Sequence, residues 1–415
     1  MSTRNIKVIT LGCRFNSYES EVTKSIISDL QPDSDVVVIN TCAVTHEAER
    51  QSKQAVRKAI RENKDAKIII TGCATKTDMA YFDNLDGVFK VISNEKKGDP
   101  DEYFDIPHEA VKPETGNILF EDKVRAFVQI QNGCNHFCSY CIVPFTRGRS
   151  RSLPIADILA KVENISKNQD VKELVLSGID ISSYGQDIRD IELADAVESV
   201  LTAYPQMRRL RLSSLDPAQI SDRLLDLLVS ESRIMPHFHL SIQSGDDVVL
   251  KAMRRRHTRD DVIGLCNRIR ARRENVIFGC DFIAGFPVET DEMFQNTLKL
   301  IDEAKLSLMH VFPYSSRAGT AAASMIQLPR SVVLERAKIL REKATQAKHG
   351  LFLSLIGTKT SVIIESISGE YSYGKTDTFI PVKISNTKLQ CGNIVDDAIV
   401  VGFDGGILEA QLTKN

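Results

Sequence analysis

Three short apolar, β-branched runs open the chain: residues 6–13 (IKVITLGC), 35–42 (DVVVINTC) and 66–73 (AKIIITGC). Between them, 17–30 (SYESEVTKSIISDL) and 46–63 (HEAERQSKQAVRKAIREN) carry their apolar residues at helical spacing. Strand-like runs alternating with helices predict a parallel sheet with both faces covered. Each of the three runs ends in a cysteine: Cys13, Cys42 and Cys73. Open parallel sheets bind ligands at the carboxyl ends of their strands. The pattern therefore predicts that these cysteines converge, although 29 and 31 residues separate them.

Residues 94–121 are rich in proline, glycine and charge and read as a linker. A second strand–helix series starts at 124–134 (VRAFVQIQNGC). It continues through 173–181 (ELVLSGIDI), 208–216 (RRLRLSSLD), 237–245 (HFHLSIQSG), 276–287 (VIFGCDFIAGFP) and 308–315 (LMHVFPYS). Helical patterns intervene, at 155–168 and 261–275 for example. Six such strands predict a partial or complete β/α barrel with its site at the carboxyl face. A long charged helix over 331–357 follows. The last stretch, with runs at 360–366, 379–384, 393–403 and 406–413, has strands without helical connectors and predicts a small β-barrel or sandwich. The expected organisation is three α/β and β units: 1–121 with its linker, 122–348 and 349–415.

Composition narrows the class. In 415 residues, 42% are hydrophobic and 26% charged, as in an ordinary globular protein. The net charge of −2 excludes a globally basic nucleic-acid binder, so an RNA partner would need local patches. No apolar stretch is long enough to span a membrane and no export signal opens the chain, so the cytoplasm is expected. In that reducing setting nine cysteines read as metal ligands or buried thiols rather than disulfides.

Residues 131–144 (QNGCNHFCSYCIVP) place Cys134, Cys138 and Cys141 in a C-x3-C-x2-C spacing. A disulfide needs two cysteines and structural zinc usually needs four ligands. A cubane iron–sulfur cluster also needs four, so three thiolates leave one iron open to a small molecule. Zinc with His136 as the fourth ligand is the alternative. For Cys13, Cys42 and Cys73 the alternative is three buried thiols. Cys266, Cys280 and Cys391 have no such partners and read as structural.

C-x3-C-x2-C with Tyr140 before the last cysteine resembles the radical SAM signature. LGCRFNSYE, NTCAVT and ITGC resemble the N-terminal unit of the radical SAM methylthiotransferases, and GCNHFCSYCIVPFTRGRSRS resembles their radical SAM loop. LSGIDISSYG, RLSSLDP, HFHLSIQSGDDVVLKAMRRRH, DFIAGFPVET and HVFPYSSRAGT are similar to later blocks of the MtaB branch. That branch adds a methylthio group to N6-threonylcarbamoyladenosine beside the tRNA anticodon. The tail resembles a TRAM domain, a small RNA-binding β-barrel. The likeness covers nearly the whole chain. It departs at Arg14, Phe15 and Ser17, where the family is expected to have Lys, Val and Gln.

The resemblance implies an N-terminal Rossmann-like α/β unit, a radical SAM partial barrel and a TRAM-like barrel. It implies two 4Fe-4S clusters. Cys134, Cys138 and Cys141 would hold one, whose open iron takes S-adenosylmethionine. Electron transfer into the sulfonium would release a 5′-deoxyadenosyl radical that abstracts hydrogen from adenine C2. Cys13, Cys42 and Cys73 would hold an auxiliary cluster carrying the sulfur, which a second S-adenosylmethionine methylates. Tyr140 would lie against the adenine of S-adenosylmethionine. Ser177, Gly178, Ile179, Ser213, Ser214 and Gln243, at strand ends, would contact that cofactor, and Arg254 or Arg255 would meet its carboxylate through a planar fork. Packing, loop structure or a solvated charge is the alternative for each. Asp281, before a Gly-Phe-Pro turn, reads as a carboxylate at the barrel mouth. Partners would be the tRNA anticodon arm and an electron donor such as flavodoxin or ferredoxin.

Three basic groups are candidate phosphate contacts: Arg147, Arg149 and Arg151; Arg208, Arg209 and Arg211; Arg254, Arg255 and Arg256. Residues 351–415 hold five lysines and no arginine against seven acidic residues. Such a tail is expected to hold RNA by stacking, through Tyr371, Tyr373 and Phe379, away from both clusters. Isopentenyladenosine in tRNA and a ribosomal-protein aspartate remain alternative substrates. A non-catalytic iron–sulfur or zinc RNA-binding protein is the alternative from another class.

Overall fold

The computed structural model describes residues 5–30, 32–104, 124–168, 171–385 and 388–413. The first sheet is parallel, in the order β1 (Ile6–Thr10), β2 (Val36–Thr41), β3 (Lys67–Gly72) and β4 (Lys90–Val91). Every residue of β2 is buried, because helices cover both faces. Each apolar side chain so buried contributes roughly 1.5–3 kcal/mol. Register aligns Thr10 with Asn40 and Thr41 with Gly72, so the carboxyl ends of β1, β2 and β3 stand side by side. The two-residue β4 is too short to leave a sequence pattern.

Part of the expected linker is packed structure. Asn94, Lys97, Tyr103 and Phe104 are buried, and Tyr103 and Phe104 join Ile26, Ile27 and Leu30 in one apolar cluster. Charge and proline mask this, because Lys97 is buried through an ion pair with Glu19. Residues 105–121 of that expectation lie outside the described residues.

The central strands are β5 (Arg125–Gln129), the short antiparallel pair β6 (Gln131–Asn132) and β7 (Arg151–Ser152), β8 (Glu173–Ser177), β9 (Arg209–Leu212), β10 (His237–Gln243), β11 (Ile277–Ala284) and β12 (Leu308–Pro313). Parallel sheets β5-β8-β9 and β10-β11-β12 are joined by bridges from Leu210 to Ile234 and from Leu215 to Leu240. All six expected strands form, and β5 and β12 are left as the free edges of an open barrel. One apolar core runs through it, from Ala126 and Val128 to Phe282 and Ala284. Cys266 and Cys280 are buried within it.

The N-terminal sheet spans the open side. Against the first edge, Arg147 donates to Glu19 (2.9 and 3.0 Å) and to Asn16 Oδ1 (2.6 Å), and Asn94 Nδ2 donates to Thr146 O (2.9 Å). Beyond the last strand, His46 N donates to Ser315 Oγ (3.2 Å), and Arg317 reaches His46 (3.1 Å) and Glu49 (2.7 Å). Burial opposes ionisation of Glu19, but Lys97 and Arg147 outweigh it and hold its carboxyl below the usual value. Removing one partner from such a buried set costs about 3–5 kcal/mol.

The helix Arg330–Leu355 leads to a closed barrel ordered β13-β14-β15-β17-β16: β13 (Lys359–Ser368), β14 (Tyr371–Thr376), β15 (Pro381–Ser385), β16 (Ile394–Asp404) and β17 (Ile407–Leu412). It does not stand apart, as its sequence suggested. Ile277 of β11 and Phe352 belong to its core, Arg208 pairs with Asp396 (2.7 Å), and Arg209 and Arg211 donate to Ser361 Oγ (2.7 Å) and Thr376 O (3.1 Å).

Candidate active site

The C-x3-C-x2-C loop is the tip of the β6–β7 hairpin. Its neck is pinched: Cys134 N donates to Gly148 O (3.1 Å), and a Cβ on Gly133, at φ +76°, would fall 2.0 Å from Arg149 O. Only glycine fits there. Gln131, fully buried, ties the neck to the end of β8. It donates to Ser150 Oγ (2.9 Å) and Gly133 O (2.8 Å), and its Oε1 accepts from Asp180 N (2.9 Å).

The thiols are packed among polar neighbours. Cys134 Sγ donates to Asp180 Oδ2 (3.5 Å), which also accepts from Ser183 Oγ (2.6 Å) and lies 2.8 Å from His136 Nε2. His136 Nε2 also faces Gln219 Oε1 at 3.0 Å. Arg255 Nη1 points at Cys138 Sγ from 3.6 Å. The same guanidinium is fixed by Ser241 O (2.6 Å) and Asp216 (2.9 Å). Burial would raise Asp216, but a hydrogen bond from His257 and the charge of Arg255 bring it down to about 2. Burial, then Cys138, pushes Cys141 up to about 12, and burial likewise raises Cys134.

Cys42 and Cys73 directly follow β2 and β3, and Cys13 lies just past β1. A Cβ on Gly12 would sit 2.7 Å from both Cβ and Sγ of Cys42, so the bare backbone at φ +95° brings the two loops together. Burial pushes Cys42 up to about 11, and Cys73 and Cys13 are near enough to add to it. Asn94 Nδ2 stands 3.8 Å from Cys73 Sγ. Arg147, just past Cys141, feels Cys73 and Cys13 as well as Glu19. The loop that carries Cys134, Cys138 and Cys141 thus approaches the other trio through this guanidinium.

All nine cysteines are free thiols. Two sets of three, each held by local backbone and short of a fourth thiolate, fit iron–sulfur clusters with one open position apiece. Cys134, His136 and Asp180 also lie within 4.8 Å of one another, a spacing a single metal ion would accept.

The other expected residues lie near the same mouth. Ser177 ends β8, and Gly178 packs on Gln131, where a Cβ would meet Oε1 at 2.9 Å. Ile179 follows, half-buried. Ser213 Oγ is buried with no hydrogen-bond partner among the described residues, whereas Ser214 is exposed. Gln243 takes φ +77° where the β10–β11 register breaks. Arg254, at φ +60°, is exposed, while Arg255 is enclosed. Tyr140 is half-buried against Val249, Met253, Phe286 and Tyr314. Asp281 bridges His239 Nε2 (3.0 Å) and His310 Nδ1 (3.1 Å) on neighbouring strands. Sequence reading missed those two histidines, although HFH and LMH place them in the strands on either side of Asp281. It also missed Asp180, Asp216 and Gln131, which carry no motif of their own.

Four expected phosphate contacts are corrected by burial. Arg147, Arg209 and Arg211 are 3%, 2% and 5% exposed and serve internal carboxylates, and Arg255 is enclosed against Asp216. Phe379 is likewise no surface stacking platform, since its ring is covered by His237. Tyr371 remains exposed beside Tyr373.

Residues 128–301 match the Radical SAM superfamily, and 5–92 match the uncharacterized protein family UPF0004. The chain is 44% identical over 417 residues to the threonylcarbamoyladenosine tRNA methylthiotransferase MtaB of Rickettsia prowazekii, covering 98% of this chain and 97% of that one. The protein of that name from Bacillus subtilis is 33% identical, covering 93% and 91%. The tRNA-2-methylthio-N(6)-dimethylallyladenosine synthase of Staphylococcus haemolyticus is 32% identical, covering 88% and 76%. Among solved structures, the radical S-adenosylmethionine methyltransferase TsrM from Kitasatospora setae superposes with a TM-score of 0.53 at 14% identity over 75% of each chain, a likeness of fold alone.

Proposed function

The chain belongs to the threonylcarbamoyladenosine tRNA methylthiotransferases, within the radical SAM enzymes, and from that premise we propose which of its residues hold cofactors and substrate. It inserts a methylthio group into N6-threonylcarbamoyladenosine of tRNA, with S-adenosylmethionine and an iron–sulfur cluster. Our finer reading is two 4Fe-4S clusters, one on Cys134, Cys138 and Cys141 and an auxiliary one on Cys13, Cys42 and Cys73. The observation that carries it is the pair of thiol trios, one at the ends of three parallel strands and one on the loop whose Arg147 reaches Glu19 and the first trio. When bound, the two clusters supply the electron that splits S-adenosylmethionine and the sulfur that is inserted.

The chain itself positions and shields. Arg255, fixed by Asp216, keeps a positive charge beside the Cys138 sulfur. Asp180 orients Cys134 and His136. Ser177, Gly178, Ile179, Ser213, Ser214 and Gln243 offer S-adenosylmethionine hydrogen bonds at the strand ends, and the unpartnered Ser213 Oγ is the strongest of these. Tyr140 flanks its adenine. Of the two arginines, Arg254 makes no ion pair among the described residues and is the one left for the methionine carboxylate. The N-terminal sheet closes the open side of the barrel and keeps water from the lumen.

We assign the three units to 1–121, 122–348 and 349–415, the last TRAM-like. The partners are the anticodon arm and a low-potential donor such as flavodoxin or ferredoxin, in the cytoplasm. No helix among the described residues is long and apolar enough to cross a membrane.

Nucleoside analysis of tRNA from cells lacking this protein tests the reading. The 2-methylthio form of N6-threonylcarbamoyladenosine should vanish while the unmodified precursor accumulates. Loss of 2-methylthio-isopentenyladenosine instead would transfer the chain to the sister substrate.

A further inference from the structure

Phe379 leaves the C-terminal barrel between β14 and β15 at φ +69° and carries its ring into the base of the central barrel. There it stacks on His237 of β10, with centroids 5.7 Å apart and planes at 18°. Four cations surround the ring: Arg14 at 4.5 Å from its centroid, Arg211 at 4.8 Å, Arg125 at 5.1 Å and Lys375 at 5.3 Å. A ring quadrupole attracts each only weakly and does nothing for their mutual repulsion.

The carboxylates nearby are largely committed. Glu173 serves Arg125, Arg211 (2.8 Å) and Arg209 (3.8 Å), and Glu365 serves Arg125. Asp377 accepts from Thr360 and Thr378 N. Arg14 and Lys375 make no hydrogen bond or ion pair among the described residues. Arg211 Nη1 is also buried and has no hydrogen-bond partner among the described residues, on a side chain that is 5% exposed. Burial depresses Lys375; Glu365 opposes this, and Arg125 and Arg14 add to it. Arg14, Arg125, Lys375 and Phe379 frame a cavity of about 300 Å³ that is also lined by Ser17, Tyr18 and Phe127. Arg14, at the cavity, directly follows Cys13 in the chain.

Arg14 is exposed and Lys375 half-buried, so an incoming anion can reach both, and cations gathered around a cavity favour one. We propose that this cavity receives the threonyl carboxylate of the substrate's N6 substituent, so that Arg14 and Lys375 select the threonylcarbamoylated adenosine by its charge. The inference rests on the functional reading above and extends it to the residues that read the substituent. It also gives the C-terminal barrel a part in the site, since Lys375 and Phe379 belong to it. An N6 group without a carboxylate would leave the cations unpaired, and a site built for a polar group rejects an analogue lacking it.

The test uses the full-length, iron-reconstituted protein and two anticodon stem–loops. They are identical except that the threonyl carboxylate is free in one and a methyl ester in the other. Wild type should bind the acid about tenfold to a hundredfold more tightly than the ester, the range for hydrogen bonds to a charged group. Lys375→Met and Arg14→Gln should bring that ratio to within about threefold, and Lys375→Arg should keep most of it. A wild-type ratio near one overturns the pocket without recourse to any variant. So does an equal loss for acid and ester in the variants, which would assign these cations to RNA phosphates. If wild type gives methylthio product from the acid yet shows no preference, the pocket fails and the functional reading stands. If it gives none from the acid but does from an isopentenyl stem–loop, the functional reading fails and takes the pocket with it.

Discussion

Cys138→Ala leaves a protein that no longer converts S-adenosylmethionine to 5′-deoxyadenosine, with or without tRNA. The loss should be complete within detection, because the cluster site acts as a unit and two thiolates do not replace three. The fold should persist. Cys138 sits on the tip of a hairpin whose neck is held independently by Cys134 N to Gly148 O and by Gln131. Its removal costs contacts with Tyr140 and with Arg255, whose Nη1 is 3.6 Å from the sulfur, while Asp216 and Ser241 O keep the guanidinium in place. Anaerobic product chromatography with dithionite as reductant measures the outcome, and the thermal unfolding midpoint checks the fold. Substantial 5′-deoxyadenosine from the folded variant would remove Cys138 from the ligand set.

Cys42→Ala separates the two trios. It should keep reductive cleavage of S-adenosylmethionine within about threefold of wild type, or ~0.7 kcal/mol of barrier, and form no methylthio product. Cys42 belongs to the end of β2, and its backbone, not its thiol, anchors the loop. Its N–H donates to Ser52 Oγ at 3.0 Å, and Ser52 Oγ donates back to its carbonyl at 2.9 Å. Alanine preserves both bonds and also fits against Gly12, where space is already tight. The C-x3-C-x2-C loop comes near Cys42 at Arg147, whose anchor is Glu19 rather than the thiol. If the folded variant loses cleavage as well, the division of labour is wrong.

The periodic elements were legible because burial writes itself into the sequence. β2 and β8 are buried at every residue and read as continuous apolar runs, so the parallel sheets and the six central strands followed. The convergence of Cys13, Cys42 and Cys73 followed from strand ends in register. Contacts between units were not legible, since they depend on pairs far apart in the chain. Glu19 and Arg147 are separated by 128 residues and Arg209 and Ser361 by 152, and each looks like solvated charge in isolation. For the same reason Arg209 and Arg211 resembled phosphate contacts, and Phe379 resembled a surface platform. The tail's acidic balance hid the fact that Lys375 lies in a cationic cavity shared with residues near both ends of the chain. Tyr103 and Phe104 were overlooked because a charged, proline-rich surrounding outweighed two aromatic residues in the reading.

The central claim is that each trio holds its own cluster, and iron and acid-labile sulfide content tests it most directly. The anaerobically reconstituted wild-type chain should contain about eight irons and about eight sulfides, the content of two cubanes. Replacing Cys13, Cys42 and Cys73 together by alanine should leave about four of each and retain cleavage of S-adenosylmethionine. Wild-type protein saturating at about four irons, or carrying zinc in place of iron, would contradict the two-cluster account.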